Sequence, residues 1–110
     1  MLTINVEQRL EGAVVRLTGD VDLSASPQLR SYLKELVRAE TPRIIADMGG
    51  VSYIDSSGVA TLVECLQGVS RYGGRLRLAA LNKRTLGVFE ISRLDTVFSI
   101  HATVEEALRA

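Results

Sequence analysis

The 110 residues are 46% hydrophobic and 24% charged, with thirteen Lys and Arg against thirteen Asp and Glu. That balance supports a buried core and excludes a disordered chain, whose low hydrophobicity and high net charge could not offset the entropy of ordering. Zero net charge argues against a protein that holds nucleic acid by neutralising phosphates. The only cysteine, Cys65, leaves no pair for an internal disulfide, the pattern of an intracellular protein. No apolar run approaches the roughly twenty residues needed to span a bilayer. The segment Met1–Glu7 lacks the charged start and apolar stretch of a signal peptide. The expectation is one cytoplasmic domain over residues 1–110, complete from its first residue, with no membrane insertion; a monomer is the default.

Taken in chain order, Leu2, Ile4 and Val6 alternate with polar residues as in a half-buried strand. After the break at Glu11-Gly12 a second strand pattern runs from Ala13 to Thr18, so the two predict an antiparallel hairpin. Gly19-Asp20-Val21-Asp22 reads as a turn. Ser26-Pro27 reads as a helix start, with Ser26 as cap and Pro27 at the first helical position. Leu29, Tyr32, Leu33 and Leu36 form the stripe behind it, and Thr41-Pro42 is the stop. Ile44-Ile45-Ala46 is a continuous apolar run, as expected of a strand covered on both faces.

Gly49 to Asp55 reads as a loop. A second helix follows from about Ser57 to Tyr72, striped by Val59, Leu62, Val63, Leu66 and Val69 and ended by Gly73-Gly74. Leu76 and Leu78 mark a strand, with Leu81 extending the apolar pattern. A short helix carries Leu86, Phe89 and Ile91. Val97, Phe98 and Ile100 predict a last strand, and Thr103-Val104-Glu105-Glu106 opens a terminal helix as a capping box. The order β-β-α-β-α-β-α-β-α implies an α/β fold, with a mixed, mostly parallel sheet, an N-terminal β-hairpin and helices packed against the sheet.

Familiar catalytic and metal patterns are missing. The lone His101 cannot supply several imidazole ligands and no cysteine pair replaces them, so neither a metal nor a cofactor is expected. No nucleophile elbow, Walker A run or dinucleotide-binding glycine turn occurs. His101 reads as an ordinary polar residue near a strand end. Cys65, beside the stripe of the second helix, reads as a packed and inert thiol.

The segment Val51-Ser52-Tyr53-Ile54-Asp55-Ser56-Ser57-Gly58-Val59-Ala60 admits two readings. Asp, Ser and Gly ahead of an apolar run make a helix cap. They also place a hydroxyl at the positive end of a helix, where free amides could receive a phosphate. This segment resembles the phosphorylation motif of the anti-sigma factor antagonists of the STAS domain family, which carry Asp-Ser-Ser-Gly or Asp-Ser-Thr-Gly at a helix start. Leu17-Thr18-Gly19-Asp20-Val21-Asp22 is similar to that family's strand-turn motif. Ile44-Ile45-Ala46-Asp47 is similar to its strand leading to the site, and Gly73-Gly74-Arg75-Leu76 to its helix-to-strand turn.

The resemblance covers essentially the whole chain and implies the STAS fold. It assigns phosphorylation to Ser56, with Ser57 as the alternative acceptor or a cap, and places Asp22 and Asp55 beside the site. Gly58 belongs to the motif, and Val59 and Val63 are the candidate docking residues. The implied partners are an anti-sigma factor that is also a serine kinase, and a serine phosphatase. The chain would be their substrate and binding partner rather than a catalyst. Two alternatives stand beside this one. The first is a cytoplasmic STAS accessory of a lipid-transporting ABC transporter, a group that tends to carry Thr at the acceptor position. The second is a phospho-aspartate receiver domain with Asp47 as acceptor and Asp20 and Asp22 as a Mg²⁺ pair; the opening hairpin and the positions of its lysines, Lys34 and Lys83, weigh against it.

Overall fold

The structure, a computed structural model, describes residues 1–110. Strands β1 (Leu2–Gln8), β2 (Ala13–Val21), β3 (Arg43–Ile54), β4 (Arg75–Ala79) and β5 (Ser99–His101) form one sheet in the order β1-β2-β3-β4-β5. The β1–β2 pair is antiparallel and the other three pairs are parallel. Between the parallel strands run α1 (Ser26–Arg38), α2 (Ser56–Ser70) and α3 (Lys83–Ile91), and α4 (Val104–Arg109) closes the chain. The mixed sheet, its opening hairpin and the order of elements are those expected from the patterning.

The double coverage expected for Ile44-Ile45-Ala46 follows directly from the pleat, because successive side chains leave opposite faces. Ile44 and Ala46 join the main core with Val15, Leu17, Leu29, Leu62 and Leu78. Ile45 emerges on the other face with Val14 and Ala79, where Val104, Ala107 and Leu108 of α4 cover it. Thr103 caps α4 by accepting the Glu106 amide at 3.1 Å. Phe89, fully buried, meets Phe98 edge-to-face with centroids 5.4 Å apart, tying α3 to the segment before β5. Cys65 is buried in the core, and burial pushes its thiol pKa up to about 12, matching the expected inert thiol.

Several local expectations are corrected. Gly49 to Ile54 is not a loop but the second half of β3, paired with β2 through Thr18–Gly50, Gly19–Val51, Asp20–Tyr53 and Val21–Ile54. The ladder absorbs extra β3 residues in two register shifts, which is how a strand continues through a Gly-Gly pair that reads as a breaker. Gly50 is required there, since a Cβ would lie 2.9 Å from the Leu17 carbonyl oxygen.

Ser26 does not cap α1. Ala25 holds the cap position, and Asp22 takes the capping role, its Oδ1 accepting the Ala25 amide at 3.0 Å. Helix α2 begins at Ser56 and ends at Ser70, and the last strand is Ser99–His101, leaving Val97 exposed. Tyr32 and Ile91 also face outward, off the stripes assigned to them.

Helix α3 contains Gly87, with nothing within 4 Å of where a Cβ would stand. Gly87→Ala is therefore expected to stabilise the fold by about 0.5–1 kcal/mol, since only the backbone entropy term changes. Chemical denaturation of the two chains checks this, and a loss of stability would contradict the open space.

Candidate functional site

The site forms where two crossover loops meet at the same end of the sheet. One leaves β2 through Asp22, Leu23 and Ser24; the other is the single residue Asp55 between β3 and α2. The Asp55 amide donates to the Val21 carbonyl at 3.2 Å, extending the ladder to the last residue before the helix.

The Asp55 carboxylate organises the junction. Oδ1 accepts the amides of Ser57 at 3.0 Å and Gly58 at 3.1 Å and the Ser57 hydroxyl at 2.6 Å, while Oδ2 accepts the Leu23 amide at 3.1 Å. One side chain thus caps α2 and ties it to the loop before α1. The Ser57 hydroxyl above all, then the amides of Gly58, Ser57 and Leu23, holds the carboxyl below its ordinary value of 3.8. Asp22 is likewise lowered, by the Ser24 hydroxyl (2.8 Å) and then the Ala25 amide. Its charge adds to that of Asp55, so the site is anionic.

The two serines differ sharply. Ser57 is half-buried, with its hydroxyl donated to Asp55 and 3.0 Å from the Ser26 hydroxyl. Ser26 is buried and donates to the Asp22 carbonyl at 2.8 Å, so the hydroxyl read as a helix cap instead joins α1 to the start of α2. Ser56 is exposed and has none of these bonds. It borders an apolar groove of about 350 Å³, lined with Val59, Val88, Ile91, Ser92 and Leu94. Asn82 places α3 beside this groove, accepting the Thr85 amide at 2.9 Å and donating to the Val51 carbonyl at 3.0 Å.

The structure therefore gathers Asp22, Asp55, Ser56, Ser57 and Gly58 at one end of the sheet. It corrects two points about them. Val59 is only 8% exposed and belongs to the core, touching the groove beside Ser56 from its floor, and Val63 is partly buried against the core, so neither is the fully exposed apolar residue expected there. The large apolar side chains open to solvent around this end are Leu23 (73% exposed), Tyr53 (45%) and Ile91 (88%). An apolar residue breaking its helical stripe was the available signal for Ile91; Leu23 and Tyr53 left none.

The second point concerns the amides. Those of Ser57 and Gly58 are already taken by Asp55, so they are not free to receive a phosphate. Asp47 lies apart, accepting the Gly49 amide at 3.0 Å and facing Arg16 at 3.5 Å. Asp20 is in β2, paired with Tyr53.

The depressed Asp55 pKa has a measurable consequence. Above the unfolded carboxyl value both states are ionised and the cap contributes in full; as pH falls through the lower folded value, protonation removes it. Asp55→Ala is expected to cost about 1 kcal/mol near neutrality, with the difference from the parent chain shrinking below about pH 4. Thermal unfolding of both chains across pH tests this; a difference that stays constant into acid would assign the loss to something other than the ionised cap.

Comparison with known proteins places this geometry in a family. The model of the STAS domain family matches residues 3–107. The chain is 30% identical over 104 residues to the anti-sigma-B factor antagonist of Bacillus subtilis (strain 168), covering 94% of each. It is similar in structure to the Bacillus cell fate determinant SpoIIAA in its phosphorylated form, with a TM-score of 0.77, 28% identity and 97% of each chain covered. An anti-sigma factor antagonist from Mycobacterium paratuberculosis shares the fold at a TM-score of 0.91 and 23% identity, over 99% of this chain and 92% of that one. The five-stranded mixed sheet with its N-terminal hairpin, and an Asp-capped second helix opened by Ser-Ser-Gly, thus belong together: the chain is a member of the STAS domain family.

Proposed function

We propose that this chain is an anti-sigma factor antagonist, a single STAS domain over residues 1–110 that acts by partner switching in the cytoplasm. Unmodified, it binds an anti-sigma factor serine kinase and so frees the sigma factor. Phosphorylated on Ser56 it lets that kinase go, and a serine phosphatase resets it. The chain is substrate and binding partner, and the kinase supplies the chemistry.

The observation that carries this reading is the contrast between two adjacent hydroxyls. Ser57 is committed to Asp55 and Ser26, whereas Ser56 is exposed and unengaged at the first position of a fifteen-residue helix. The relatives' names support the antagonist role, and a related structure solved in a phosphorylated form supports regulation by phosphorylation.

The charge balance gives the switch its direction. A phosphate adds about −1.5 to −2 charges at neutral pH. The helix N-terminus tolerates it, so the fold survives. With the Ser57 and Gly58 amides occupied and Asp55 and Asp22 alongside, that charge stays outward, toward whatever covers Leu23, Tyr53 and Ile91. A partner surface fitted to a neutral hydroxyl then meets repulsion and desolvation cost.

The test is incubation with ATP and the anti-sigma serine kinase of the same organism, followed by mass spectrometry of the Asp55–Gly58 peptide. One acid-stable phosphate on Ser56 is expected. Modification of Ser57 instead, or none with an active kinase, would overturn the assignment.

A further inference from the structure

We propose that the groove between α1 and α2 is a binding site for a small amphiphilic anion, an aromatic or aliphatic body carrying a sulfonate, carboxylate or phosphate. The two helices run side by side in the same direction, in contact at Ser26–Ser57, Arg30–Glu64 and Val37–Gly68. Toward their C-terminal halves they flank an open groove of about 430 Å³, within the volume range of small-molecule sites. Leu33, Val37 and Cys65 give it an apolar lining. Arg30 straps one end, its Nε 3.2 Å from both carboxylate oxygens of Glu64.

Around the rest of the groove stand Lys34, Arg38 and Arg71. Arg38 pairs with Glu35 on its own helix, while Lys34 and Arg71 pair with no carboxylate. In a chain of zero formal charge this is a local positive excess around a mostly polar groove with a narrow apolar floor. The C-terminal ends of two helices carry about half a negative charge each, which two full unpaired cations exceed. Three apolar residues are too short a floor for an amphipathic peptide helix, so a small molecule fits better. The lining runs along α2 from Thr61 to Arg71, about 7.5 to 22 Å from Ser56 along the helix axis, and includes none of Asp22, Asp55, Ser56 or Ser57, so the groove does not rest on the phosphorylation reading.

The probe is anilinonaphthalene sulfonate, titrated into the native chain by fluorescence and by amide chemical shifts. One-to-one binding is expected, with shifts at Leu33–Arg38 and Cys65–Arg71. The uncharged phenylnaphthylamine should bind roughly tenfold more weakly. The Lys34→Glu, Arg71→Glu double variant, altered only at exposed positions, should lose affinity for the sulfonate by a similar factor while keeping its circular dichroism. Equal binding by the double variant, equal binding of the uncharged ring, or shifts confined to the groove beside Ser56 would each overturn the proposal. So would an acidic peptide binding where the sulfonate does not.

Discussion

Phosphorylated on Ser56, the chain is expected to bind its anti-sigma partner about a thousandfold more weakly than the Ser56→Ala variant, a difference of about 4 kcal/mol. Neither form touches the core, because Ser56 is exposed and contributes no bond to the junction. Stability should therefore change by no more than about 0.5 kcal/mol with Ala. The loss arises at the interface, where the new charge joins those of Asp55 and Asp22. Ser56→Glu carries one charge in place of nearly two and should fall between, at least about tenfold weaker than Ala. Isothermal titration of the three forms against the purified kinase is the measurement. Equal affinities for Ser56→Ala and Ser56→Glu would sink the switch while leaving the family and the fold untouched.

Gly58→Ala is expected to destabilise the fold by about 1–3 kcal/mol, and Gly58→Val by more. In an open helix the same exchange gains about 1 kcal/mol, as expected for Gly87, so the sign is diagnostic. A Cβ at position 58 would stand 2.5 Å from the Val21 carbonyl oxygen, 2.7 Å from Val21 Cγ1 and 2.9 Å from Ile54 Cγ1. The Val21 oxygen is also the acceptor for the Asp55 amide, so the helix cannot retreat without loosening the junction that presents Ser56. Urea denaturation gives the stability, and the kinase reaction followed by mass spectrometry gives the presentation. A neutral or stabilising Gly58→Ala would show that α2 does not press on β2 as described.

The parts of this molecule written in local pattern were legible from the chain alone. Alternation exposed the hairpin, the run Ile44-Ile45-Ala46 exposed a doubly covered strand, and Asp-Ser-Ser-Gly exposed the start of α2. What stayed hidden depends on partners distant in sequence. β3 continues past Gly49-Gly50 only because β2 lies alongside to take up the bulges. Ser26 looks like a cap until Ser57, thirty-one residues away, is brought against it. Leu23 and Tyr53 carry no pattern that marks them as open, and only packing leaves them exposed at this end of the sheet. The serine pair at the start of α2 was thus readable, whereas which large apolar side chains stand open around it had to be seen.

The buried thiol of Cys65 carries a consequence for oxidation. Peroxides and disulfides attack thiolates, and a group titrating near pH 12 offers almost none at neutrality. With no second cysteine, the chain forms no internal disulfide. Cys65 is therefore expected to stay reduced under peroxide that would oxidise an exposed, ionised thiol.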